Sequence, residues 1–96
     1  MNISIRSYSQ NTPNANCMEL TIGELVLWFS YKTVVAYRYK GRRVVSENVW
    51  GSTTGKHLNW IDGGKSRRAN RLPYPEFEEK LSSILVELGL EERSAQ

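Results

Sequence analysis

Residues 24–49 read Glu-Leu-Val-Leu-Trp-Phe-Ser-Tyr-Lys-Thr-Val-Val-Ala-Tyr-Arg-Tyr-Lys-Gly-Arg-Arg-Val-Val-Ser-Glu-Asn-Val. Three short runs rich in β-branched and aromatic residues are joined by links of about two residues, the signature of an antiparallel meander. The first run, residues 24–31, is short, largely apolar and aromatic, and suits a strand buried on both faces. Lys32-Thr33 is expected to turn the chain into a second strand over 34–39. Lys40-Gly41 then supplies a hairpin turn, because glycine accepts a positive φ. A third strand is expected over 42–49.

Beyond the meander, residues 55–61 (Gly-Lys-His-Leu-Asn-Trp-Ile) read as a short helix capped by the hydroxyl of Thr53 or Thr54, with Leu58 and Ile61 on its buried side. Asp62-Gly63-Gly64 stops it. Lys65 to Leu72 is a basic, extended candidate for a fourth strand. Pro75 fits the first turn of a last helix, with Glu76, Glu78 and Glu79 favourable at its positive end. Phe77, Leu81, Ile84, Leu85 and Leu88 recur at helical spacing, and Gly89 suits the C-terminal cap. The expected fold is therefore α+β: a three- to four-stranded antiparallel meander with a short helix, and a C-terminal helix packed on one face. Leu25, Leu27, Phe29, Val34, Ala36, Val44, Phe77, Leu81, Ile84 and Leu85 are expected in one core. Residues 1–17, polar and aperiodic, read as a flexible arm; 18–90 form the single domain, and 91–96 are expected to fray.

Ninety-six residues allow one small domain. The longest apolar run is too short to span a bilayer, and no leader peptide is evident, so a membrane partner is not expected. The single cysteine, Cys17, excludes an intramolecular disulfide framework and points to a reducing, cytoplasmic setting. Neither a metal site nor a cofactor motif is legible.

The net charge of +3 hides a strong division along the chain. Residues 32–71 carry ten Lys and Arg against Glu47 and Asp62, a balance of +8, while residues 72–96 balance at −4. Such a dipole draws polyanions to one surface. The basic groups fall in two clusters, Arg42-Arg43 and Lys65, Arg67, Arg68 and Arg71, and Tyr37, Tyr39, Trp50 and Trp60 lie between or beside them. Cationic side chains neutralise phosphates, and exposed rings stack on unpaired bases.

Gly51-Ser-Thr-Thr-Gly-Lys-His57 resembles a phosphate loop but fails it. Three residues rather than four separate the glycines, and His57 stands where a magnesium-binding hydroxyl is needed. What remains is a set of helix N-terminal amides with Thr53, Thr54, Lys56 and His57, suited to one backbone phosphate. His57 with Cys17 is a poor catalytic pair, since Cys17 falls in the expected arm. Glu47 and Asp62 alone are too few carboxylates for a magnesium nuclease. No catalytic residues are assigned.

The blocks at 27–38, 47–50 and 52–62 (Ser-Thr-Thr-Gly-Lys-His-Leu-Asn-Trp-Ile-Asp), with the closing Tyr74-Pro-Glu-Phe-Glu, resemble an uncharacterised domain family seen largely in phages and other mobile elements. The resemblance covers about residues 20–88 and implies a setting rather than a mechanism. Two functions are expected from it together with the charge pattern. The first is a small non-enzymatic accessory protein that binds nucleic acid, DNA or RNA. The second is an anti-defence protein that inhibits a host effector, such as a CRISPR complex, by protein contact.

Overall fold

The computed structural model describes residues 2–92, except for the side chains of residues 65 and 66. Five strands, β1 (Ile3–Ser7), β2 (Met18–Ile22), β3 (Leu25–Ser30), β4 (Thr33–Tyr39) and β5 (Arg42–Val45), form one antiparallel sheet in sequence order. Helix α1 (Ser52–Asp62), a 3-10 helix (Lys65–Asn70) and helix α2 (Tyr74–Glu87) follow. The architecture is the expected α+β meander, extended by two N-terminal strands.

β3 is buried along nearly its whole length because both of its faces are covered. Val26 and Trp28 point to one side, where they meet Val35, Ala36, Val45 and the α1 residues Leu58 and Ile61. Leu25 and Leu27 point to the other, where they meet Tyr37 and the α2 residues Phe77 and Leu81. The single core expected from the sequence is thus two layers on opposite faces of one sheet. Ala36 belongs to the α1 side, and Phe29, Val34, Val44, Ile84 and Leu85 pack at the margin of the α2 side. A register shift opposite Trp28 and Phe29 leaves Val35 as an extra residue in β4. That bulge lets the adjacent Val35 and Ala36 both serve the α1 layer.

The expected turns hold with small displacements. Lys40 and Gly41 both have positive φ, 52° and 81°, as a two-residue hairpin of the right twist requires. The preceding hairpin turns at Tyr31 (φ 57°) and Lys32, while Thr33 already lies in β4.

Three expectations are corrected. First, residues 3–7 are a strand rather than part of a loose arm, and they pair with β2 in regular register. Residues 8–17 form an ordered loop that spends its polar side chains on its own backbone. Ser7 Oγ accepts from the Ser9 and Asn14 amides, Asn14 Oδ1 accepts from the Asn16 amide, and the Tyr8 hydroxyl donates to the Phe29 carbonyl at 2.7 Å. Cys17 is fully buried at its end. Second, residues 65–70 are a 3-10 helix, not a strand. Gly63 and Gly64, at φ 93° and 94°, swing the chain away from α1, and only Leu72 reaches the sheet, bridging Ser46. Third, neither threonine caps α1. The helix begins at Ser52 after Gly51, and the Asn48 side chain shapes the turn by accepting the Trp50 and Gly51 amides and donating to the Gly51 carbonyl. A Cβ at Gly55 would stand 3.0 Å from Asn48 Nδ2, so a larger residue there would press on the amide that shapes this turn. Of the end expected to fray, residues 93–96 lie outside the described residues.

Candidate nucleic-acid interface

The two outer strands of the sheet are β1 and β5, and Arg42, Arg43, Arg67 and Arg71 gather at β5. Strand alternation sends Arg42 and Arg43 to opposite faces. Arg43 lies on the α1 side, where its Nη1 donates to the Ile61 carbonyl at 2.8 Å. There it shares a hollow with Val45, Asp62, Arg67, Asn70 and Arg71. Arg42 lies on the α2 side, along an open groove of about 690 Å³ with Asn70 and Lys80. Asn70 borders both depressions, so the basic surface wraps round the β5 edge rather than occupying one flat face. Glu79 also lines the groove on the α2 wall and offsets part of its charge.

Arg42, Arg43, Arg67 and Arg68 are all exposed. Among the described residues the ion pairs are Arg6–Glu19 and Arg71–Asp62, so neither involves these four guanidinium groups. The acids of the C-terminal segment gather mainly beside the Arg42 groove, in a depression that shares Glu79 and Ser83 with it. Glu79, Glu87, Glu91 and Glu92 line a shallow depression with Ser82, Ser83 and Val86 of α2. The division read along the chain is therefore only partial in space, since Glu79 stands at the seam between the two depressions.

Not every expected site residue belongs to this surface. Arg71 is only 5% exposed at its side chain and is committed to Asp62: its Nε donates to Oδ2 at 2.7 Å and its Nη2 to Oδ1 at 2.8 Å. The same Nη2 reaches Asn59 Oδ1, and the Gly64 amide donates to Asp62 Oδ1. Burial pushes the Asp62 carboxyl up, but the Arg71 and Gly64 hydrogen bonds and the charges of Arg71 and Arg43 outweigh it, and the net displacement is downward. Arg71 thus fastens the chain after the 3-10 helix to the end of α1.

His57 is buried, its Nδ1 2.8 Å from Ser30 Oγ, which is also 2.9 Å from Thr54 Oγ1. Its ring lies against Tyr8, Tyr31 and Trp60. Burial, assisted by the charge of Lys56, holds the imidazole below its ordinary pKa and favours the neutral ring. Thr54 and His57 therefore seat α1 on β3 and are withdrawn from the phosphate-binding set. Thr53 and Lys56 remain exposed on α1, with Lys56 Nζ 5.9 Å from the centre of the Trp60 ring, but neither lines the depressions at β5. The side chain of Lys65 lies outside the described residues.

The aromatic residues also sort differently from the expected stacking platform. Tyr37 is buried against Phe77, Trp50 packs edge-on to Tyr74, and the Tyr39 hydroxyl donates to Glu87. Glu47 accepts the Tyr74 amide at the start of α2, serving as a distant helix cap. Lys80 and Asn70 join the basic surface although the sequence did not single them out. Lys80 sits among glutamates in the acidic segment, and only the packing of α2 brings it to Arg42.

A family model described as a family of unknown function (DUF8033) matches residues 2–79, so it spans all five strands, α1 and the start of α2, and the chain belongs to that family. No curated protein and no solved structure matches the chain.

Proposed function

We propose that this domain is a non-enzymatic accessory protein that binds the phosphate backbone of a nucleic acid along the β5 edge. The observation that carries this reading is the grouping of exposed Arg42, Arg43 and Arg67, with Lys80, round the β5 edge, with exposed Arg68 next to Arg67 in the 3-10 helix and Glu79 as the acid that shares the groove. Guanidinium groups in that setting replace condensed counterions on a polyanion, and they do so without reading sequence. Two depressions that meet at Asn70 suit a strand or groove edge that passes round the sheet. No helix among the described residues is long and apolar enough to cross a membrane. The resemblance to proteins of phages and mobile elements supports a host-cytoplasmic setting for this proposed activity.

The test is titration of labelled single- and double-stranded DNA and RNA at low and at physiological salt. Binding that weakens steeply with salt is the expected result. Absence of binding to all four at low salt removes the reading. It would favour instead an anti-defence protein whose arginines meet an acidic protein surface, which stoichiometric capture of one host protein would reveal.

A further inference from the structure

The opposite edge of the sheet is built for a different partner. In β1 the hydrogen-bonded pairs with the adjoining strand are set by its flanks: the Tyr8 amide donates to the Cys17 carbonyl and the Gly23 amide to the Asn2 carbonyl. Alternation of the antiparallel ladder then turns the amides and carbonyls of Ile3, Ile5 and Ser7 outward. Ile3 and Ile5 are 69% and 64% exposed. Both stand on the α2 side, because Ile5 pairs with Leu20, which packs at the margin of the α2 layer. The row Ile3–Ile22–Leu25–Tyr39 crosses the sheet, and α2 covers its Leu25–Tyr39 half, where Leu25 packs with Phe77 and Leu81 and Tyr39 meets Glu87.

Sheet edges are ordinarily blunted by proline, a bulge, an inward charge or a covering segment. The β5 edge has such protection: Leu72 bonds to the Val45 carbonyl and the Glu47 amide. The β1 strand has regular pairing, no proline, and one charge, Arg6, which is turned to the other face and tied to Glu19 at 3.0 Å.

We infer that β1 pairs antiparallel with β1 of a second copy of this chain, about a two-fold axis at Ile5. That register is self-complementary. Ile5 meets its own counterpart, Ile3 meets Ser7, and the three outward residues of each strand exchange about six backbone hydrogen bonds. Arg6 falls opposite Ser4 of the other copy, so no like charges face one another across the pair. Ile3 and Ile5 of both copies form one apolar strip beside Leu20 and Ile22, and the two β5 edges lie at the far ends of a continuous sheet. The pairing is independent of what β5 binds. Two five-residue strands bury less than a standard interface of about 1,600 Å², so the dimer is of micromolar strength or weaker.

Sedimentation velocity of the full chain tests this. The mass is expected to rise with concentration from 11.0 kDa toward twice that value. Ile5→Lys places two ammonium groups at the axis and is expected to weaken association about tenfold or more. Ile5→Pro removes the outward donor without removing a bond to β2, and should do the same while leaving the circular dichroism spectrum unchanged. In the unaltered chain, exchange of the Ile5 amide should slow as concentration rises. A monomer up to about 1 mM, a dimer indifferent to both variants, or an Ile5 amide whose exchange ignores concentration would each overturn the inference.

Discussion

Arg67 and Arg71 stand four positions apart in one basic run, and the fold uses them for opposite purposes. Arg67 is exposed, whereas Arg71 is closed over Asp62 with both partners almost wholly buried. Removing one member of a buried pair strands the other without water or counter-charge. Arg71→Ala is therefore expected to cost about 3–5 kcal/mol in chemical denaturation, while Arg67→Ala should stay within about 0.5 kcal/mol. Equal effects would mean that the pair does not fasten the chain. Because the Asp62 carboxyl is held below its ordinary value of 3.8, its contribution is complete above that pH and is lost as pH falls through the lower folded value. His57 runs in a higher window. Its folded pKa lies below 6.5, so the unfolded chain takes up the proton first, and stability should decline as pH drops from about 6.5 toward 5. A denaturation midpoint unchanged between pH 7 and about pH 5 would contradict a buried, neutral His57. Sequence alone could not separate Arg71 from Arg67, since partner and burial are set by the 3-10 helix that returns Arg71 to the end of α1.

The elements divide by how locally they are encoded. β3 to β5 and α2 were legible because apolar periodicity and the Lys40-Gly41 turn act over a few residues. β1 was not, although Ile3-Ser4-Ile5-Arg6 alternates, because its stability comes from pairing with β2 fifteen or so residues away rather than from burial. The run at 65–72 misled in the other direction. Its composition allows a strand, but the glycine pair before it and the Asp62–Arg71 pair across it close a tighter path. The seat of α1 is a polar contact that periodicity does not report. Ser30→Ala would leave His57 Nδ1 and Thr54 Oγ1 without their shared partner, at an expected cost of about 1–3 kcal/mol. On the other face, Leu81→Ala removes a buried side chain under α2 and should cost about 2–5 kcal/mol. A loss near zero in either variant would show that the corresponding helix does not close its layer.

At the scale of the whole molecule the two sheet edges differ in chemistry: arginines and a covering Leu72 at β5, bare isoleucines at β1. The charge division was readable as a count, but its geometry was not. The sequence placed ten bases together; folding withdrew Arg71 into the interior, turned Arg42 and Arg43 to opposite faces and added Lys80 from the acidic segment. The central claim is that the exposed remainder binds phosphates. It is tested most directly by the slope of log affinity against log salt for a labelled single-stranded oligonucleotide, measured for the unaltered chain and for Arg67→Ala with Arg68→Ala. Each phosphate contact contributes about −0.7 to the slope. The double variant should therefore be shallower by about one to two units, with an unchanged melting temperature. An identical slope in the two proteins, or no binding at low salt, would contradict the assignment of the β5 edge as a nucleic-acid surface.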